Sequence, residues 1–117
     1  SGKLAETWPL RYLDVPSANF YPGNNDFSLY QESIFVGYRY YCSAAKRVQY
    51  PFGYGLSYTT YEYSALNVGS EKFEEGKLLP VSLKVTNRGQ RDREEIVELY
   101  LSPEQPKAFR PKRELKD

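Results

Sequence analysis

Glu32 and Arg39 are the residues of this sequence that first raise the question of chemistry. A carboxylate beside an arginine could be an acid that is held ionised, because the nearby positive charge favours its charged form. A charged pair flanking a strand is, however, more commonly a structural ion pair or a solvated surface. We therefore assign no catalytic role to either residue.

The histidine and cysteine content excludes several other kinds of site. The sequence has no histidine, which is the commonest metal ligand and general base in proteins. A Ser-His or Cys-His nucleophilic device within this chain is thereby excluded. The single cysteine, Cys42, excludes an intrachain disulfide. We predict no catalytic, cofactor-binding or metal-binding residue, and no cofactor.

The length and net charge of the chain limit the kinds of fold and partner that are possible. A chain of 117 residues can form one compact domain that buries about two-thirds of its unfolded surface. A net charge of +1, with acidic and basic residues intermixed, predicts no nucleic-acid partner and no membrane partner. No apolar run is long enough to span a bilayer, and we expect no signal peptide before Ser1 and Gly2. We expect an internal start or a processed chain, and the compartment stays open.

Glu32 and Arg39 lie in the first half of the chain, so the elements predicted there must position them. Residues 1 to about 29 are predicted to be mostly irregular, with Trp8 as an apolar anchor that Pro9 keeps out of helical geometry. The turn formers of this segment are Pro16, Pro22, Gly23, Asn24 and Asn25. In residues 30 to 41, Ile34, Val36 and Tyr38 alternate on one face, which predicts a short strand.

Residues 51 to 64 organise the rest of the sequence. Pro51, Gly53 and Gly55 predict a tight bend, and the β-branched and aromatic residues after it predict an extended strand. Phe52 supplies large apolar surface at this bend. The stretch therefore indicates a joint between two structural units.

The pattern after the bend is all-β. Predicted strands cover residues 61 to 68, 81 to 86 and 95 to 101, and Asn87-Arg88-Gly89 closes the second of them as a turn. The charged connections at residues 71 to 77 and 90 to 94 are predicted to be solvated loops. Short strands separated by such turns are typical of a β-sandwich.

Several stretches together resemble the C-terminal region of family 3 glycoside hydrolases, the β-glucosidases and their relatives. Residues 51 to 64 resemble the segment that enters their last domain. The other matching stretches are Gly2-Lys3-Leu4, Glu6-Thr7-Trp8-Pro9, residues 30 to 41, residues 85 to 89 (Val-Thr-Asn-Arg-Gly), residues 95 to 101 (Glu-Ile-Val-Glu-Leu-Tyr-Leu) and residues 111 to 116 (Pro-Lys-Arg-Glu-Leu-Lys). They follow the family's order and cover nearly the whole chain.

Three positions depart from the family pattern. Ala5 stands where proline is usual, Ser33 where glycine is usual and Cys42 where aspartate is usual. If the family's glycine has a positive φ, Ser33 carries a modest strain. Cys42 lacks a carboxylate that could order the polar loop at residues 43 to 49.

The resemblance implies a domain organisation. Residues 1–50 would be the terminal segment of an α/β sandwich domain, residues 51–58 an interdomain joint, and residues 59–117 the first part of a truncated fibronectin type III-like domain. The expected fold is mainly β, a partial immunoglobulin-like or fibronectin III-like antiparallel sandwich preceded by an irregular, loop-rich segment with a short strand. A full sandwich of this kind has about seven strands, so we expect the exposed sheet to be completed by the remainder of the parent hydrolase, by another chain, or by strand exchange in a homo-oligomer.

The resemblance also implies a function for the parent protein. The whole enzyme would cleave terminal non-reducing β-D-glucosyl or similar residues by a retaining mechanism that uses two carboxylates. The family's nucleophile is an aspartate of a barrel domain, and its acid/base glutamate lies earlier in the second domain. Neither motif occurs here, so this chain is expected to be inactive alone and structural in role. The alternative is a carbohydrate-binding or adhesion β-sandwich, favoured by the 12 tyrosines and one tryptophan.

Overall fold

A computed structural model describes residues 2–23, 26–70, 72, 74 and 76–117. In this part of the chain the strands pair antiparallel in three two-stranded sheets, and helix is scarce. The prediction of a mainly β, antiparallel fold is confirmed. Asn24 and Asn25, two of the predicted turn formers, and residues 71, 73 and 75 of the charged connection lie outside the described residues.

The chain divides into two compact units. One comprises residues 57–95 and is called the hairpin unit; the other comprises residues 2–56 and 96–117 and is called the mixed unit. The change of unit between Leu56 and Ser57 falls inside the predicted joint, whereas residues 96–117 are grouped with the first half of the chain. The predicted domain ranges stay a prediction.

The hairpin unit contains two of the three strands that were predicted after the bend. Strand β3 spans Tyr61–Val68 and strand β4 spans Val81–Asn87, and they pair antiparallel with Tyr63 opposite Val85. The register shifts between Ser64 and Asn67, where Ala65 has a φ of 51°. No described residue of this unit is fully buried. The hairpin therefore has the β-branched and aromatic composition of a strand pair, but none of its described residues is buried against another element.

The turn after β4 is held by one asparagine side chain. Asn87 Oδ1 accepts hydrogen bonds from Thr59 Oγ1 at 2.6 Å and from the Gly89 backbone N–H at 3.0 Å. Asn87 Nδ2 donates to the Arg91 carbonyl at 2.8 Å. The predicted Asn-Arg-Gly turn signal thus has a specific cause, because a single amide satisfies two donors and one acceptor of the loop.

Asn87→Ala is expected to lower the free energy of unfolding of the hairpin by about 1–3 kcal/mol, since the loop groups lose their shared partner. Urea denaturation of the full-length protein, followed by hydrogen exchange of the hairpin amides, measures this effect. Asn67→Ala serves as the control, because Asn67 lies on exposed strand surface and its side chain forms no hydrogen bond within the described residues. Equal losses for both variants would contradict the role of Asn87.

The mixed unit is built from two short strand pairs and one helix. Strand β1 (Trp8–Pro9) pairs with β2 (Val48–Tyr50), helix α1 spans Gly37–Ser43, and β5 (Tyr100–Leu101) pairs with β6 (Glu114–Leu115). A short 3₁₀-helix covers Tyr12–Asp14. The buried centre lies here, where Tyr41 of α1 is 5% exposed and Pro111 is fully buried.

The strand predicted for residues 30 to 41 is wrong. The chain turns at residues 31 to 34 and then forms helix α1. Tyr38 and Tyr41 are three residues apart, so the helix places both on one side, and Tyr41 becomes buried. The alternation of apolar residues fitted a strand equally well locally, but burial of Tyr41 in the tertiary structure favours the helix.

Ser33 adopts a φ of 52°, which is the left-handed region that favours glycine. A serine in this region carries a modest backbone strain, as was expected for Ser33 if the position required a positive φ. The backbone N–H of Phe35 donates to the Glu32 carbonyl at 2.9 Å and closes the turn around Ser33.

The strand predicted for residues 95 to 101 is longer than the one observed, since only Tyr100–Leu101 is a strand. The Leu99 N–H donates to the Asp117 carbonyl and the Lys116 N–H to the Leu99 carbonyl, both at 2.8 Å. Backbone pairing thus begins at Leu99. A strand needs a hydrogen-bonded neighbour, and residues 95 to 98 have no neighbouring strand among the described residues.

Candidate functional site

Side chains from four separate segments meet in an aromatic cluster of the mixed unit, formed by Tyr38, Phe52, Tyr100 and Arg113. Tyr38 of α1 packs against Phe52 of the bend with ring centroids 5.2 Å apart. Tyr38 also meets the ring of Tyr100 in β5 edge-on at 5.6 Å. The Arg113 guanidinium lies over the Tyr100 ring, 4.7 Å from its centroid. Tilted and edge-on ring pairs and a stacked guanidinium stabilise such a cluster beyond simple burial.

Hydrogen bonds fix the two phenols of the aromatic cluster. Tyr38 Oη accepts a hydrogen bond from the Leu115 backbone N–H at 2.9 Å, which ties α1 to β6. Tyr100 Oη donates to Glu98 Oε2 at 2.7 Å. Both phenol oxygens of the cluster therefore have a partner, whereas Arg113 Nε is buried without one. Burial, followed by the hydrogen bond to Glu98, raises the pKa of Tyr100 above its ordinary value.

The raised pKa of Tyr100 links stability to alkaline pH. The neutral phenol is the form that the fold stabilises, so its contribution is complete below the ordinary tyrosine pKa of about 10 and is lost as the pH rises beyond it. We expect the free energy of unfolding of the full-length protein to fall more steeply above pH 10 in the wild type than in Tyr100→Phe. Denaturation curves over a pH series measure this. Tyr30→Phe, which removes a phenol that is 83% exposed, should follow the wild type; parallel curves for Tyr100→Phe would contradict the linkage.

The bend that carries Phe52 is fastened to the start of the chain. The Gly53 N–H donates to the Leu4 carbonyl and the Leu4 N–H donates to the Tyr54 carbonyl, both at 2.8 Å. Gly53 has a φ of 77°, and a Cβ added at Gly55 would lie 2.5 Å from the Gly2 carbonyl oxygen. Two of the motifs that carried the family resemblance, at residues 2 to 4 and 51 to 64, therefore contact each other directly.

Sequence reasoning identified Phe52 and the two glycines but missed Glu98, Tyr100 and Arg113. Glu98 and Tyr100 were assigned to a predicted strand and Arg113 to a family motif, and no contact between them was predicted. The available signal was the Tyr100 ring on the opposite strand face from Leu99 and Leu101, which indicated a second covered face.

A second group of rings, the aromatic pocket, lies beside β1 and β2. Trp8 meets Tyr50 edge-on at 5.9 Å, and Tyr50 meets Tyr54 at 4.8 Å. These rings line a pocket of about 360 Å³ together with Lys3 and Gly55. Trp8 is 47% exposed, and its Nε1 donates to Glu6 Oε1 at 2.8 Å. Exposed rings next to polar groups are the kind of surface on which a sugar ring can stack.

The first candidates, Glu32 and Arg39, line one cavity of about 470 Å³ in the mixed unit, which we call the polar cavity. Within the described residues, no ion pair joins Glu32 to Arg39 or to another charged side chain. Phe52 and Thr7 also line this cavity. The assignment of no catalytic residue stays a prediction.

Metal-binding clusters and membrane-spanning helices are both absent from the described part of the chain. It contains no group of three or more Cys, Asp or Glu side chains placed to bind a metal ion. None of its helices has the length and apolar character that crossing a bilayer requires.

Comparison with known proteins gives likenesses that extend over the whole chain. Thermostable β-glucosidase B of Acetivibrio thermocellus is 43% identical over 116 residues, which are 99% of this chain and 15% of the relative. An exo-α-(1→6)-L-arabinopyranosidase of Bifidobacterium breve is 42% identical over 116 residues, again 99% of this chain and 15% of the relative. The structure of β-glucosidase 3B from Thermotoga neapolitana in complex with glucose matches with a TM-score of 0.88 and 42% identity over 100% of this chain and 16% of its own. No protein-family model matches the chain.

The mainly β fold and these likenesses define the chain as a C-terminal segment of a glycoside hydrolase. It belongs to glycoside hydrolase family 3, as the sequence motifs predicted. The chain spans about 15% of the length of the curated relatives that it matches.

Proposed function

We propose that this chain is a structural, non-catalytic C-terminal part of a family 3 hydrolase, and that it braces the neighbouring domain. The observation that carries the proposal is the aromatic cluster, in which one helix, one bend and two strand segments are held together by Phe52 and the phenols of Tyr38 and Tyr100. Interlocked rings with satisfied polar ends make a rigid support. A support of this kind positions other groups and needs no reactive side chain of its own.

The parent protein is proposed to hydrolyse terminal non-reducing β-D-glucosyl or similar residues. The relatives include both β-glucosidases and an arabinopyranosidase, so the proposal names a class of sugar and not one sugar. In a retaining mechanism the two carboxyl groups lie only about 5 Å apart, so the domain that carries the acid must keep its folded position for the enzyme to work. Holding that domain still is the contribution proposed for this segment.

Hydrolysis assays of the full-length protein and of the 117-residue chain test whether this chain is non-catalytic by itself. The full-length protein should cleave aryl β-glucosides, and NMR of the first-formed sugar should show retention at the anomeric carbon. The isolated chain should have no activity at the same molar concentration. Hydrolysis by the isolated chain, or inversion by the full-length protein, would contradict the proposal.

The domain ranges also belong to the proposal, with residues 1–50 closing an α/β domain, residues 51–58 as a joint and residues 59–117 starting a fibronectin-like sandwich. Exposed apolar side chains of the hairpin unit support it, since Leu66 is 69% exposed and Val68 is 47% exposed. Uncovered strands of this kind pair with a further strand. We expect the remainder of the parent to supply it. Light scattering of the isolated chain should show self-association, and a stable monomer with a cooperative melt would argue against an incomplete sandwich.

The aromatic pocket favours a second candidate, a carbohydrate-binding role. Trp8 would stack on a sugar ring, with the Glu6 carboxylate beside it. Titration of the full-length protein with cello-oligosaccharides, observed by tryptophan fluorescence, should distinguish the roles when compared with Trp8→Phe. A saturable change that disappears in Trp8→Phe supports binding. A signal unaffected by that substitution leaves the bracing role as the one supported.

A further inference from the structure

The polar cavity contains buried polar atoms that have no partner. Glu32 Oε2 and Thr7 Oγ1 are both enclosed, and neither forms a hydrogen bond. Both residues line the same cavity as Arg39, whose guanidinium forms no hydrogen bond or ion pair with the described residues. Two buried, unpaired oxygens and one guanidinium with no partner in the described residues therefore line one space of about 470 Å³.

Such an arrangement is unfavourable unless the cavity is filled by a suitable partner. An unpaired buried polar group costs about 1–3 kcal/mol, and a charged one costs more. Native proteins pair more than about 90% of their buried polar groups. The chain corresponds to only 15% of the length of its curated relatives, so most of the parent polypeptide is not included in these residues. That remainder is the obvious source of the missing donors and acceptors.

We propose that an extended main-chain segment of the parent hydrolase, from outside residues 1–117, lies in the polar cavity and hydrogen-bonds to Glu32, Arg39 and Thr7. This inference rests on the proposed function, because it requires a parent protein whose remaining domains contact this unit. A backbone N–H would donate to Glu32 Oε2, and a backbone carbonyl would accept from the Arg39 guanidinium.

The composition of the cavity favours main chain over a cationic side chain. The charged side chains that line it are Glu6, Glu32 and Arg39, so an occupant meets hydrogen-bond acceptors and a donor together. Glu6, the other carboxylate lining the cavity, accepts from Trp8 Nε1 through its Oε1. An extended backbone presents donors and acceptors in alternation, and both kinds are needed because the cavity has a carboxylate, a hydroxyl and a guanidinium.

Hydrogen–deuterium exchange of the full-length hydrolase tests the proposal directly. In Glu32→Ala, backbone amides of one segment outside residues 1–117 should exchange about tenfold faster, as expected for loss of a hydrogen bond to a charged acceptor. Glu32→Gln keeps an acceptor oxygen at the same place and should show a smaller increase. Glu104→Ala, which removes an exposed carboxylate with no partner in the described residues, should leave the exchange pattern of the wild type.

Two outcomes would overturn the inference. Exchange that rises only within residues 1–117 would mean that no outside segment occupies the cavity. An equal increase in Glu32→Gln and Glu32→Ala would mean that the occupant needs the negative charge and is a cation rather than main chain. Phe52→Ala separates this inference from the proposed function: if it loosens outside segments while Glu32→Ala does not, the bracing role stands and the cavity proposal fails, and if neither variant loosens them, both fail.

Discussion

Phe52→Ala in the full-length hydrolase is expected to lower the free energy of unfolding by about 3 kcal/mol and to leave the turnover per folded molecule unchanged. The ring of Phe52 packs against Tyr38, which in turn contacts Tyr100 and accepts a hydrogen bond from the Leu115 N–H. Truncation removes apolar contact area and leaves a cavity that the fastened bend cannot close. Thermal and chemical denaturation measure the loss, and kcat normalised to folded protein measures the chemistry.

Two comparison variants sharpen this test. Phe52→Leu keeps most of the apolar volume and should lose less stability than Phe52→Ala. Leu78→Ala removes a side chain that is 99% exposed and should change the free energy of unfolding by less than about 0.5 kcal/mol. An unchanged melt for Phe52→Ala would contradict the bracing role, and a lower kcat per folded molecule would place Phe52 closer to the chemistry than we propose.

Gly53→Ala is expected to destabilise the full-length protein by about 2–4 kcal/mol, from two separate causes. Gly53 has a φ of 77°, and a residue with a Cβ pays about 1–2 kcal/mol for the left-handed region. The added Cβ would also overlap the Glu98 carboxylate, which accepts the hydrogen bond of Tyr100. Displacing that carboxylate leaves the Tyr100 phenol without its partner. Urea denaturation gives the magnitude.

The two causes can be separated with a matched glycine. Gly76 has a φ of 80°, and no heavy atom of the described residues lies within 4 Å of an added Cβ, so Gly76→Ala should show the backbone contribution alone. In a Glu98→Ala background, Gly53→Ala should likewise fall to about 1–2 kcal/mol, because nothing remains to be displaced. Equal effects of Gly53→Ala and Gly76→Ala in the wild-type background would show that the contact with Glu98 contributes nothing.

Local patterning predicted the elements whose causes are local. Strands β3 and β4 follow from β-branched and aromatic residues, and their closing turn follows from Asn87 and Gly89. The bend at Gly53 followed from residue types that permit a positive φ. The irregular course of the first segment, with Trp8 outside any helix, followed from its prolines and glycine.

Local sequence patterns gave wrong predictions where contacts with residues distant in the chain select the secondary structure. Ile34, Val36 and Tyr38 alternate as in a strand, yet packing of Tyr38 against Phe52 and burial of Tyr41 select a helix. Residues 95 to 98 have the composition of a strand but find no hydrogen-bonded neighbour among the described residues. Glu32 and Arg39 flank the same predicted element, but in the structure they face a common cavity without pairing.

Residue types and motif order were enough to predict the family, the mainly β character and the bend, because each depends on a short run of residues or on motifs kept in order. The meeting of Tyr100, Glu98 and Arg113 with the ring cluster of Phe52, and the hydrogen bonds between the bend and Leu4, became visible only in the folded chain. These contacts connect residues far apart in the chain, and their energy comes from burial and hydrogen bonding that exist only once the segments have met.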